Sequence, residues 1–268
     1  MTFIRFKGTP KNVIPAKAGI HKLLTLLDSR LRGSDKLEII RGSLKKERKM
    51  DEEIRERMVL MCQTLMRMLE LTFEGFRRPT EKSFKEAMEV KDKIHHYSSE
   101  LTSYVISKTP SSEKGKEWAK PYLSIASSFD RMTYNIEGIL DRLRAKAQSH
   151  ILFSDRAARE VNDVFQEAMR LLENLPDLIL TQNKVLAQRI GEEVRSILKI
   201  AKGYSEEHEE RLIQGICVPK SSPFYLGIIE SLKGVIGHTL EVSGKIVSLS
   251  SKSSPSPHLS PQGGEGNG

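Results

Sequence analysis

Trp118-Ala-Lys-Pro-Tyr122-Leu-Ser-Ile125-Ala-Ser-Ser-Phe129-Asp-Arg-Met132-Thr-Tyr-Asn-Ile136-Glu-Gly-Ile139-Leu-Asp-Arg-Leu143 decides the fold. Its large apolar residues recur at steps of three and four, which in a helix turning 3.6 residues per turn places them on one face. Upstream, Ile54, Met58, Met61, Leu65, Leu69, Phe73 and Phe76 repeat the pattern and end before Pro79. Thr80 then offers an N-cap for a second helix carrying Phe84, Ala87, Met88, Ile94, Leu101 and Val105 as far as Pro110. Downstream, Ser154 or Asp155 caps a fourth helix containing Val161, Val164, Phe165, Ala168, Leu172 and Leu175, and Pro176 marks a bend or break. A fifth runs through Val185, Ile190, Val194, Ile197, Tyr204 and Leu212 and stops near Gly215 and Pro219. The sixth holds Tyr225, Ile228, Leu232, Val235, Thr239, Val242, Ile246 and Leu249. No alternating pattern of a half-buried strand is present, so the fold class is all-α.

Six long helices in two sets of three suggest an internal repeat of about 100 residues. Lys91-Asp-Lys-Ile94-His95 falls opposite Gly191-Glu-Glu-Val194-Arg195, and Phe129 to Asn135 opposite Leu232 to His238. Each set is expected to form an antiparallel three-helix bundle, at 50–150 and 151–250. Helices of about 25 residues, roughly 37 Å long, need such side-by-side packing to bury one stripe each. The two bundles are expected to pack laterally about a pseudo-twofold axis.

Charge is unevenly distributed. The formal net charge of the 268 residues is +8, which taken alone points to nucleic acid or an anionic surface. Residues 1–49 hold 13 Lys and Arg against 4 Asp and Glu, whereas residues 50–250 hold 29 against 30. The helical part is therefore neutral, and no nucleic-acid partner is expected. Val13-Ile-Pro-Ala-Lys-Ala-Gly19-Ile20 and Ser256-Pro-His-Leu-Ser-Pro resemble translated dispersed bacterial repeats. Residues 1–49 are expected to be a disordered leader or a mis-assigned start, with the natural start near Met50, and 251–268 a disordered tail. No run approaches the roughly 20 apolar residues of a membrane span, because Glu230, Lys233, Glu241 and Lys245 interrupt the most apolar stretch. Two cysteines, Cys62 and Cys217, suggest neither a zinc site nor a disulfide framework. A cytoplasmic protein is expected.

His208-Glu-Glu-Arg211-Leu212-Ile-Gln-Gly215-Ile-Cys217, followed by the amphipathic Tyr225 to Leu249, resembles the closing helix pair of a PhoU-like domain, most closely the version attached to sodium/phosphate cotransporters. The resemblance extends over about residues 50–250 and implies the same doubled three-helix architecture. In that family each third helix carries a Glu-Arg-Ile-Gly-Asp-His core whose Glu and Asp, four apart on one face, bind a metal cluster. Here Asp130 stands for the Glu and Tyr134 for the Asp in the first copy. Lys233 and Gly237 replace both carboxylates in the second, where only His238 fits. Lys91, His95, Gly191 and Arg195 occupy the acidic positions of the second helices. Asp130 and His238 are the residual metal candidates. A cluster needs several anionic oxygens and a lysine ammonium opposes it, so no cofactor is expected.

Other features favour structure over chemistry. His95-His96 point about 100° apart on a charged helix, and His208-Glu209-Glu210 lacks the second histidine of a zinc-protease helix. The methionines Met58, Met61, Met66 and Met68 suit a packed core or an adaptable groove. No phosphate-cradling loop, nucleophile elbow, Ser/His/Asp set or Cys/His set emerges, so the chain is not expected to be an enzyme. The resemblance implies a regulator of phosphate transport and signalling, docked on a phosphate transporter or its histidine kinase, with a homodimer possible and membrane contact only through a protein partner. A generic helical scaffold that kept the fold and left phosphate control is the alternative. Docking is first sought near Asp130, Tyr134, Lys233 and His238.

Overall fold

In the computed structural model the backbone of residues 33–252 and the side chains of 51–249 are described. Seven α-helices follow in order: α1 Gly33–Arg77, α2 Glu81–Lys108, α3 Glu113–Gln148, α4 Asp155–Glu173, α5 Leu175–Thr181, α6 Lys184–Ile213 and α7 Ser222–Lys252. A short 3-10 turn, Pro219–Ser221, precedes α7. No strand occurs among the described residues. Residues 48–249 pack as one unit.

The helix boundaries follow local chemistry. Thr80, Ser112 and Ser154 each accept a hydrogen bond from the backbone N–H three residues on, at 3.2 Å, which satisfies one of the unpaired donors of a first turn. Asn183 does the same for Val185 and Leu186. At Pro176 the break is complete: α4 ends, and α5 begins with the proline in its first turn, where its missing N–H costs nothing. Gln182, left-handed at φ 51°, then reverses the chain into α6. Two sequence expectations need correction. Helix α1 already begins at Gly33, so residues 33–49, expected in a leader, are helical in backbone, since no proline interrupts 33–77. Val185 was placed on the buried stripe and is 76% exposed, because it lies in the first turn of α6, outside the packed zone. The remaining expectations for 1–32 and 253–268 lie outside the described residues.

The stripes meet in one core. Ile54, Met58, Met61, Leu65, Met68 and Leu69 from α1, Phe129 and Met132 from α3, Phe165 from α4 and Tyr225 and Ile236 from α7 are all buried. Each such side chain removed from water contributes about 1.5–3 kcal/mol before entropy is subtracted. The opening helices of the two halves pack on each other. The rings of Phe73 and Phe165 lie 5.3 Å apart, and the Cys62 thiol faces the Leu172 carbonyl at 3.7 Å. The closing helices do likewise. Ser128 donates to Glu241 at 3.2 Å, and Arg142 lies 3.5 Å from Ser231. Between those contacts Asn135 covers Gly234 so closely that a Cβ there would stand 2.6 Å from its side chain. In both pairs rising numbers on one helix meet falling numbers on the other, so α1 with α4 and α3 with α7 run antiparallel. A twofold axis perpendicular to the helices produces that arrangement.

Candidate functional site

The first-half positions that the sequence resemblance sets against metal ligands lie where α2 faces α3. Asp130 accepts a hydrogen bond from the Ser98 hydroxyl at 2.8 Å and is paired with Nδ1 of His95 at 3.3 Å. One turn further, the Lys91 ammonium donates to Glu137 at 2.8 Å, a bond that holds it above its ordinary pKa of 10.5. The Tyr134 ring packs 5.2 Å from that of His95 and is 62% exposed. Cation and hydroxyl thus take the oxygens that a cluster would need, and each carboxylate already has a partner of opposite or neutral character. On α7, His238 turns to its own helix, with Nδ1 3.0 Å from Glu241. That bond, opposed by burial, keeps the Glu241 carboxyl below its ordinary value. Lys233 pairs with Glu230 at 2.6 Å. Asp130 and His238 are therefore held in separate local pairs. Among the described residues no group of three or more His, Cys, Asp or Glu side chains is placed to share a metal ion. The residues present do not fit the family's cluster.

A second polar site was not foreseen. Glu160 on α4 is 5% exposed and receives four hydrogen bonds. Arg211 on α6 grips it with both terminal guanidinium nitrogens, at 3.1 and 2.8 Å, the Tyr225 hydroxyl of α7 donates at 2.6 Å, and Arg156 donates at 2.9 Å. Burial pushes the Glu160 carboxyl upward, but the bonds from Tyr225, Arg211 and Arg156 outweigh it and leave it below 4.5. The Tyr225 hydroxyl also reaches the Tyr204 carbonyl at 3.2 Å. His208, 1% exposed, stacks on the Tyr225 ring at 4.2 Å and is 2.9 Å from the Ser222 hydroxyl. Burial first, and the Arg211 charge second, lower its pKa from 6.5.

This cluster ties three helices together at the α6–α7 turn. The turn reverses through Gly215 at φ 70°, a conformation glycine adopts without a Cβ clash, and returns the Cys217 N–H to the Arg211 carbonyl at 3.2 Å. The Cys217 sulfur then lies 3.8 Å from His208 Nδ1. A Cys/His pair does therefore come together, contrary to the sequence expectation. Its signal was present in the His208 to Cys217 segment, whose two ends meet only because the chain doubles back. Glu160, 51 residues from Arg211 and 65 from Tyr225, left no local trace. No helix of the described residues is long and apolar enough to cross a membrane.

Neither the family models nor the curated proteins contain a match to this chain. Among solved structures, a PhoU-like phosphate regulatory protein of Shewanella oneidensis MR-1 is similar at 14% identity and a TM-score of 0.43, with 76% of this chain and 98% of that one covered.

Proposed function

We propose that this chain is a PhoU-type regulator of phosphate transport and signalling, which binds a phosphate transporter or its histidine kinase on the cytoplasmic side and performs no catalysis. The observation that carries the proposal is the doubled three-helix pattern, with α1 against α4 and α3 against α7, joined to the His208–Cys217 and Tyr225–Leu249 segments that resemble the family's closing helix pair. A regulator of this kind acts by binding one partner conformation more tightly than another, since only differential affinity moves an equilibrium. Large aliphatic side chains exposed on the two turns beside the Glu160 cluster, Leu152, Ile213, Ile216 and Val218, supply apolar surface for such binding. Because the family's ligand positions carry Lys91, His95, Tyr134, Lys233 and Gly237, the proposed action uses no metal. Deletion of the gene is expected to change phosphate uptake and phosphate-starvation transcription. Unchanged values at both low and high phosphate would refute the proposal.

The same substitutions favour a second reading, a helical adaptor that has left phosphate control. The two part on co-purifying proteins: transporter or kinase subunits for the first, partners unrelated to phosphate for the second.

A further inference from the structure

Cys217 lies in a cluster whose parts exceed the needs of packing. It is half-buried, so small solutes reach it. Its sulfur is 3.8 Å from Nδ1 of His208, while Nε2 of the same ring is 2.9 Å from the Ser222 hydroxyl. With Nε2 protonated and donating to Ser222, the Nδ1 lone pair faces the thiol. The lowered pKa of His208 keeps that nitrogen uncharged and able to accept a proton at neutral pH. A separate feature points to an incoming oxygen. The Arg211 side chain is 9% exposed, yet its Nε is a buried donor without a hydrogen-bond partner, and Cys217 is one of the groups its guanidinium faces. A buried N–H lacking an acceptor is costly. An oxygen added to the Cys217 sulfur would supply the acceptor.

We propose that Cys217 is a modification site oxidised by peroxide, with His208 as the proton acceptor and Arg211 as the donor that receives the added oxygen. In the reaction His208 Nδ1 takes the thiol proton as the sulfur attacks one oxygen of hydrogen peroxide. The O–O bond breaks with its electron pair on the departing hydroxide, which takes the proton from His208 and leaves as water. Sulfur loses two electrons and becomes a sulfenic acid, while the peroxide is reduced. Cys62 offers the internal contrast: it is 0% exposed, and burial pushes its thiol up to about 12. The inference is independent of any role in phosphate control.

The full chain, freshly reduced, would be exposed to hydrogen peroxide at pH 7, trapped with dimedone at timed intervals and mapped by peptide mass spectrometry. Cys217 is expected to react about tenfold faster than N-acetylcysteine, since the adjacent His208 nitrogen takes the thiol proton as the sulfur attacks, and Cys62 not detectably. In His208→Gln, with folding checked by circular dichroism, the rate at Cys217 is expected to fall to within about twofold of N-acetylcysteine. A native Cys217 no faster than N-acetylcysteine would overturn the proposal whether or not the variant folds. So would a folded His208→Gln that reacts as fast as the native chain.

Discussion

Tyr122 and Tyr225 occupy equivalent places near the start of the closing helix in each half, and each donates its hydroxyl to a carboxylate, yet the two carboxylates respond in opposite directions. Asp51, the partner of Tyr122, is pushed above 3.8 by burial, and Arg55 and Tyr122 recover only part of the cost. Glu160, the partner of Tyr225, is held below 4.5 because Arg211 and Arg156 join the tyrosine. Repeat symmetry preserved the tyrosine and the packing, but not the charge balance. A buried carboxylate is stabilising or costly according to how many donors reach it, and burial alone decides neither.

The contrast can be broken most sharply at Arg211. Arg211→Met leaves Glu160 buried without its bidentate partner and is expected to cost about 3–5 kcal/mol in urea unfolding, whereas Glu160→Leu with Arg211→Met should recover most of the loss. A cost within 1 kcal/mol, roughly that of an exposed pair, would mean the cluster is not closed as described. The next effect is on pH dependence. His208 has a depressed pKa in the folded chain, so its contribution is present above 6.5 and is lost as pH falls through the folded value. The urea midpoint should therefore decline on acidification below 6.5, and His208→Gln should flatten that decline. Glu160, also depressed, adds a second loss only below 4.5.

The first half sharpens the comparison through smaller effects. Asp130, whose side chain is 33% exposed and pairs with a histidine that is 32% exposed, has water as an alternative partner. Asp130→Asn should cost no more than about 1 kcal/mol, read from the same urea midpoint. Asp51→Asn should have the opposite sign. A raised pKa means that the stability Asp51 contributes is present below 3.8 and lost as pH rises through its folded value, so at neutral pH its charge is a burden. The neutral amide is expected to raise the urea midpoint at pH 7 by the equivalent of about 1 kcal/mol or less, and to give no gain below 3.8. A destabilised Asp51→Asn would show that Arg55 carries more of the balance than burial does.

Much of the architecture was legible along the chain. Thr80 and Ser154 cap helices as expected, Pro176 separates two helices, and the stripe of the sequence quoted first, Tyr122, Ile125, Phe129, Met132, Ile136, Ile139 and Leu143, is buried on α3, while Trp118 is partly buried. Met58, Met61 and Met68 are core, while Met66 is only partly buried, at the seam between α1 and α4. The candidate site was read less well. Asp130 and His238 could be named from the family resemblance, but their partners Ser98, His95 and Glu241 could not, because polar residues on a helix surface carry no periodic mark of which neighbour they meet. The approach of Cys217 to His208 needed the reversal at Gly215.

Local rules are short-ranged. Side-chain period, cap hydrogen bonds and the missing N–H of proline act within one or two turns, so the order of the helices, most of their ends and the doubling of the three-helix set were written in the sequence itself. Tertiary packing alone decided that Glu160 would be closed by Arg211 and Tyr225 while Asp51 was left with a hydroxyl and an imperfect counter-charge. The free energy of a buried charge depends on every donor within a few ångströms, and those donors come from helices that sequence spacing does not connect.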